Sequence, residues 1–501
     1  MADLGTVDLL VVGGGVNGAG IARDAVGRGL SVVLCEKGDL AEGTSSRSGK
    51  LVHGGLRYLE YYEFRLVREA LIEREVLLEA APHIIWPMRF VLPHSLEQRP
   101  AWMLWLGLFL YDHLGGRKRL PGCRRINLRV APEGHIIRDE FRLAFEYSDC
   151  WVDDARLVVL NALDARQRGA TVLTRTTARS ARRVDGLWEI DLGEDGNAAG
   201  ASYRLRARAI VNAAGPWVEN VIGQVARLNS RRRVRLVKGS HIVVKKFWDG
   251  PQAYLFQNND KRVIFVNPYE DDLCLIGTTD VAYAGAAEDV AIDDAEIDYL
   301  LAAVNRYVTH ELKRADVQYA YSGVRPLYDD NAASPSAVTR DYVFDKDEGA
   351  GRAPLLSVFG GKITTYRKLA EHAMAELGGV FPRMGGAWTA RAPLPGGDLP
   401  DSDFSRFLAA IRQRHSWLPA PLAQHYARLY GTRIDAVLGS AGSLADLGRH
   451  FGGLLYEQEA RYLREIEWAQ TADDILFRRT KHGLHLDQAA RDDFADWLQA
   501  A

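Results

Sequence analysis

The chain has 501 residues, with 63 Lys and Arg against 65 Asp and Glu, a formal net charge of −2 and 47% apolar residues. This length exceeds one typical domain and predicts two or three. The apolar share excludes a disordered chain, and the near-zero charge argues against nucleic acid as the main partner.

Val7–Val12 is an apolar run of strand type. Gly13, Gly15 and Gly18 follow as G-x-G-x-x-G, and Ala19, Ala22, Ala25 and Val26 then place an apolar face at helical period. The first glycine turns the chain out of the strand, the second lets backbone approach a pyrophosphate, and the third lets helix and strand pack closely. The helix N-terminus, with Val16 and Asn17, offers free N–H groups and partial positive charge to phosphates. A second strand, Ser31–Cys35, ends in Glu36, where an acid binds ribose hydroxyls and repels a 2′-phosphate. The unit therefore binds a dinucleotide other than NADP, and its pattern alone does not separate NAD from FAD. In place of the further helix and strand of an NAD domain comes a polar loop, Lys37–Ser48, leading to Leu51–Tyr58. Small hydroxyl residues and the paired Gly54 and Gly55 let donors crowd a large flat ligand, which favours FAD.

Further along, Ala101–Tyr111 carries no charge and two tryptophans, and Arg117, Lys118, Arg119, Arg124 and Arg125 follow it. It is well short of the ~20 residues that span a bilayer. It reads either as a helix lying in the headgroup region or as a core helix. Asp153 and Asp154 cap a helical pattern through Arg168, and Thr171–Thr177 reads as a strand. Arg208–Asn212 is a short strand leading into Ala213-Ala214-Gly215-Pro216-Trp217, where small residues permit close approach to a ring. Ser240–Lys245, Arg262–Asn267 and Leu273–Gly277 are strand-like. Leu355–Phe359 feeds Gly360 and Gly361, with Lys362 and Ile363 preceding Thr364, which is suited to cap a helix over Thr365–Leu377. Beyond Pro393–Pro400 the pattern is helical to the end and carries no catalytic motif. Cys35, Cys123, Cys150 and Cys274 lack C-x-x-C spacing, so neither a disulfide framework nor a metal site is expected and a reducing compartment fits. No secretory signal or arginine-rich transit segment is read at the start of the chain.

Val12–Gly29 and Gly360–Ala370, together with Thr44-Ser45-Ser46, His53–Glu60, Asn212–Trp217, Lys238–Val244 and Tyr321–Leu327, resemble the FAD-dependent glycerol-3-phosphate dehydrogenases over essentially the whole chain. The resemblance implies an α/β fold with an FAD-binding Rossmann-like domain of the glycine-oxidase and D-amino-acid-oxidase type. A mixed-sheet substrate domain and a C-terminal helical domain complete it. We expect the cofactor domain at 1–84, 146–229 and 321–388, the substrate domain at 85–145 and 230–320, and the helical domain at 389–501. The implied reaction oxidises sn-glycerol 3-phosphate to dihydroxyacetone phosphate through non-covalent FAD, with ubiquinone or menaquinone as acceptor. The implied enzyme is a homodimer, cytoplasmic and peripheral on the inner face of the bacterial membrane. A glycerol-3-phosphate oxidase using oxygen, an amino-acid oxidase of the same type and a flavin-binding sensor without turnover are the alternatives.

Arg57 and Arg325 suit a phosphate dianion, because guanidinium groups engage its oxygens in pairs; the resemblance adds Tyr58. His241 is the first choice for taking the hydroxyl proton, and His53 is the second. Lys362 opposes charge growing on the reduced ring or reaches the phosphate. Cofactor contacts are expected at Gly13, Gly15, Val16, Asn17, Gly18, Glu36, Lys37, Thr44, Ser45, Ser46, His53, Gly54, Gly55, Ala178, Ala213, Ala214, Gly215, Trp217, Gly360, Gly361, Lys362, Ile363 and Thr364.

Overall fold

The structure, a computed structural model, describes residues 2–95, 97–116, 119–194, 201–230, 232–258, 260, 262–329, 341–349 and 352–500; the side chains of Arg57, Glu60 and Tyr61 lie outside that description. β1 (Ala2–Val12), α1 (Val16–Gly27) and β2 (Val32–Cys35) form the N-terminal unit. β1 pairs in parallel with β2 on one side and with Ser202–Asn212 on the other. Arg352–Phe359 adds a further parallel strand beyond Ser202–Asn212. Alternate residues of β1 serve two cores, as the strand period requires. Leu9 and Val11 pack in one cluster with Ala19 and Ala22 of α1, Val158 and Ala162, and Leu369. Leu10 and Val12 pack in another with Trp188, Ile190 and Leu192 of an antiparallel hairpin.

Three further helices bear on the site. α2 (Phe64–Ala80) and α3 (Ala101–Leu114) lie on the second sheet, and α4 (Asp154–Gln167) lies on the first. α4 starts where Asp153 accepts a bond from Arg156 N, so the expected cap is in place. The expected strand Thr171–Thr177 is split, because Arg175 adopts φ 51. Thr171–Leu173 pairs with β2, and Thr176 begins the antiparallel hairpin.

The second sheet has ten strands among the described residues. Near one end of it, Val234–Lys245 is flanked by Leu273–Gly277 and, along nearly its full length, by Val317–Tyr328. Leu143–Val152 pairs with Ile85–His94 over ten residue pairs. Boundaries at 146 and 321 would therefore cut two strands of this sheet. The motif Tyr321–Leu327 borders the cofactor cleft, yet its backbone is paired with Val234–Lys245.

α3 departs from the core-helix alternative. Only Leu108 and Tyr111 of this helix are buried. Trp102 is 65% exposed, Leu106 49% and Phe109 48%, so one apolar face meets solvent. Among the described residues no helix is long and apolar enough to cross a membrane.

The C-terminal helices surround their own core, which includes Ile411, Tyr426, Leu463 and Phe494. Buried ion pairs fasten this unit to the first sheet. Arg479 grips Asp39 at 2.7 and 2.8 Å, Arg478 adds a 2.7 Å bond, and Lys481 holds both oxygens of Asp153 at 2.5 and 2.6 Å. Asp39 and Arg479 are each 0% exposed. Breaking a buried pair strands a charge and costs about 3–5 kcal/mol. Arg479→Leu should therefore lower the thermal midpoint clearly and reduce retained FAD, because Asp39 belongs to the loop lining the cleft. Gel filtration followed by absorbance of the bound flavin, alongside a melting curve, reads both effects.

Candidate active site

The cleft between the two sheets encloses about 950 Å³. Its floor begins where β1 ends. Gly13 has φ +111, and a Cβ there would sit 2.5 Å from the Ala213 carbonyl oxygen. A Cβ on Gly18 would sit 1.8 Å from the Gly13 carbonyl oxygen, so only glycine lets α1 start this close to the strand. Gly15 precedes the first turn of α1, and Val16 N donates to Ser45 Oγ at 3.0 Å. Glu36 accepts from Gly14 N at 2.6 Å and Gly38 N at 2.9 Å. Burial raises its carboxyl above the ordinary range, against the pull of these two amides. Asn17 donates to the Gly360 carbonyl at 3.2 Å and so ties the two glycine motifs together.

Of the expected cofactor contacts, Gly13, Gly15, Val16, Asn17, Glu36, Lys37, Thr44, Ser45, His53, Ala178, Ala213, Ala214, Gly215, Trp217 and Gly360 through Thr364 line the cleft. Gly18, Ser46, Gly54 and Gly55 stand behind this wall. Gly18 packs helix on strand. The Ser46 carbonyl accepts from Lys50 at 3.2 Å, and Gly54 N donates to the Tyr111 hydroxyl at 2.7 Å. Thr364 is not the helix cap either. The helix Tyr366–Glu376 has Thr365 at that position, and the Thr364 hydroxyl bridges the His53 amide and carbonyl. At the rim, Lys37 lies 3.6 Å above the Trp217 ring, and both bond Glu288, at 2.8 and 2.5 Å.

The same cleft gathers the candidate chemistry. His241, Arg325, Lys362 and Tyr58 all line it; the Arg57 side chain lies outside the described residues. His241 is 3% exposed and stacks on Tyr321, its cross-strand neighbour, at 4.9 Å and 21°. Its Nδ1 is buried without a hydrogen-bond partner. Burial, and then the charges of Arg325 and Lys50, hold the ring well below the usual imidazole range, so it is neutral. Burial likewise lowers His53. Arg325 donates to Asp280 at 2.9 Å and Thr278 at 3.1 Å, so a carboxylate orients its guanidinium. The Lys362 ammonium sits 3.9 Å over the Tyr58 ring.

Sequence reading missed Asn267, Thr278 and Arg47, which also line the cleft. Asn267 is 1% exposed and its Oδ1 has no partner. The signal was a single amide inside the apolar strand Val263–Tyr269. Buried polar atoms in a cavity ask for a partner, and Asn17 Oδ1, His241 Nδ1 and Asn267 Oδ1 all meet this description around the cleft. A ring edge carrying N–H and O–H donors fits the two amide oxygens, and a pyrophosphate fits the N–H groups at the start of α1.

Comparison with known proteins agrees. Residues 8–367 match the model of the FAD dependent oxidoreductase family, and residues 387–496 match the C-terminal domain of alpha-glycerophosphate oxidase. The chain is 64% identical to D-erythritol 1-phosphate dehydrogenase of Brucella abortus, over 100% of this chain and 99% of that one. It is 52% identical to the aerobic glycerol-3-phosphate dehydrogenase of Escherichia coli K12, over 98% and 97%. The crystal structure of the glycerol-3-phosphate dehydrogenase from Bacillus halodurans complexed with FAD superposes with a TM-score of 0.76 at 27% identity, covering 99% of this chain and 94% of that one. Glycine cradle, two-sheet cleft and helical C-terminal domain thus make this chain a member of the FAD-dependent oxidoreductase family, in its glycerol-3-phosphate dehydrogenase branch.

Proposed function

We propose that this flavoenzyme oxidises sn-glycerol 3-phosphate to dihydroxyacetone phosphate and passes the electrons to a membrane quinone. The observation that carries the reading is the convergence of His241, Arg325, Lys362 and Tyr58 on the cleft that the glycine cradle opens into. Bound FAD supplies, at N5, the acceptor for the hydride leaving C2. Arg325, held by Asp280, and Arg57 pair with the phosphate oxygens, and Lys362 and Tyr58 add a cation and a hydroxyl. His241, neutral and with Nδ1 unpaired, takes the hydroxyl proton as the carbonyl forms. Gly13, Gly15 and the start of α1 receive the pyrophosphate, and Glu36 receives the ribose hydroxyls.

The 64% identity to a D-erythritol 1-phosphate dehydrogenase favours a second reading, in which the same cations grip a four-carbon polyol phosphate. The two share a secondary alcohol beside a phosphate-bearing carbon and differ by one hydroxymethine. Under the quinone-linked reading the protein works on the cytoplasmic side of the membrane. The apolar face of α3, with Trp102, Trp105, Leu106 and Phe109, rests in the headgroup layer, next to the segment carrying Tyr58.

Anaerobic addition of sn-glycerol 3-phosphate to the yellow protein should bleach the flavin, and a soluble quinone should restore colour faster than oxygen does. Bleaching at least ten times faster with D-erythritol 1-phosphate would transfer the assignment to the second reading, and no bleaching with either would end both. Because His241 is held below 6.5, protons claim it only at lower pH. The acid limb of kcat/KM should accordingly lie below pH 6.5, and His241→Gln should slow bleaching about 10²–10⁴-fold and remove that limb. In a pelleting assay the protein should sediment with anionic phospholipid vesicles, and a triple Trp102→Ser, Leu106→Ser, Phe109→Ser variant should stay in solution with its flavin unchanged.

A further inference from the structure

Away from the cleft, three elements of the C-terminal domain bring two imidazoles and a carboxylate to one point. His425 comes from the helix Ala420–Tyr430, Glu459 from the helix Glu457–Ile466, and His482 from the turn His482–Leu484. His425 Nε2 lies 2.8 Å from one Glu459 oxygen, and His482 Nε2 lies 3.2 Å from the other. One ligand atom from each residue falls within 4.8 Å of the other two. The two imidazole centroids are 4.5 Å apart. None of the three lines the cofactor cleft.

Glu459 poses an electrostatic problem. It is 0% exposed, and among the described residues its ion-pair partners are these two histidines, with the Tyr430 hydroxyl donating at 2.7 Å. A carboxylate removed from water needs a compensating cation. Elsewhere in this protein buried acids meet Arg or Lys, as Asp39 and Asp153 do. Here the neighbours are imidazoles, whose neutral nitrogens are metal ligands. The buried Tyr426 hydroxyl, in the same core and acted on by the Glu459 charge, has no hydrogen-bond partner.

We propose that His425, Glu459 and His482 bind a divalent transition-metal ion of the zinc class. Two imidazoles and one carboxylate form a set that Zn²⁺ accepts, at about 2.0–2.2 Å per ligand. Tetrahedral bonds of that length place ligand atoms about 3.3 Å apart, and one ligand atom from each of the three residues already lies within 4.8 Å of the other two. The His425 side chain is 11% exposed, which gives the ion a route from solvent and leaves a fourth position for water. The ion would tie two helices to the turn that follows Lys481, and Lys481 carries the ion pair to Asp153 at the cap of α4. Its role is to fasten the C-terminal domain, since the reacting groups lie elsewhere. The ligands are 34 and 23 residues apart, a spacing without local pattern, which explains why no metal site was expected.

The test uses full-length, FAD-loaded protein stripped with a chelator and desalted, then titrated with Zn²⁺ against a chromophoric chelator. One ion per chain should bind at micromolar concentration or tighter, and the thermal midpoint should rise with added Zn²⁺. His482→Gln, which keeps a hydrogen-bond donor to Glu459, should retain its flavin spectrum while binding Zn²⁺ at least ~100-fold more weakly, with no rise in midpoint. His425→Gln should behave alike and covers the case in which the first variant fails to fold. Equal zinc affinity in wild type and both variants, or no binding at 100-fold excess over protein, would overturn the proposal.

Discussion

The structure depends on how the chain crosses from one sheet to the other between Cys35 and Leu51. This segment lines the cleft, so it cannot be stabilised by packing on the side that faces the ligand. It is held from behind by charge. Asp39 is locked by Arg478 and Arg479, while Ser48 and Lys50 both bond Asp154 at the start of α4, at 2.7 and 2.8 Å. Thr44 and Arg47 then bond carbonyls of Val324 and Ser322 on the second sheet, at 2.7 and 3.0 Å. Three structural units therefore meet on one polar loop. Ion pairs as buried as these contribute little net stability against an apolar alternative. Their directional demands nonetheless leave the loop one arrangement, and a cofactor cradle needs that.

The cleft shows the complementary economy. Most buried polar atoms in this protein are paired, yet an oxygen of Asn17, an oxygen of Asn267 and a nitrogen of His241 are not. Unpaired groups in a protein interior are costly unless a ligand completes them. The low-dielectric setting leaves His241 neutral, with Nδ1 free of a proton-bearing partner and open to one. Lys50 and Arg325 reinforce this neutrality by charge, so cations already flank this wall of the cleft. An anionic ester entering such a wall meets guanidinium and ammonium groups already oriented, with Asp280 fixing Arg325 and Tyr58 lying under Lys362.

What the sequence disclosed, and what it hid, follows the range of the interactions involved. The cradle was legible because its pattern is short: Gly18 answers a contact with Gly13 and Glu36 closes the same unit, while the close approach of Gly13 to Ala213 is a long-range contact that the glycine spacing already allows for. The placement of His241, Arg325 and Lys362 in one cleft needed resemblance as well, since strand pairing across roughly eighty residues brings Tyr321 opposite His241. Thr364 was misread as a cap because its hydroxyl serves the His53 backbone, distant by 311 positions. Arg175 broke an expected strand, and its guanidinium is engaged by Asp474 from the C-terminal domain. Asp39, Arg479 and Lys481 gave no motif at all, because complementary charges that meet only after three units assemble carry no periodicity.

α3 links an exposed apolar surface to the reacting centre. Its outward face carries Trp102, Leu106 and Phe109, while its inward Tyr111 accepts from Gly54 N at 2.7 Å and donates to Asp149 at 2.8 Å. Arg74 of α2 holds the same carboxylate at 2.6 Å. Gly54 follows His53, which lines the cleft, and a Cβ there would press on Leu71 at 2.4 Å and on the Tyr111 hydroxyl at 2.8 Å. Any surface that engages the outer face of this helix therefore bears on a rigid, fully buried hydrogen-bond chain ending at the cofactor wall. Tyr111 cannot serve as a proton donor there, because burial and Asp149 push its hydroxyl far above the ordinary phenol range. Its part is mechanical. It keeps the turn that carries Tyr58 seated on the helix, so the Tyr58 side of the cleft and the apolar face of the molecule are positioned by one element.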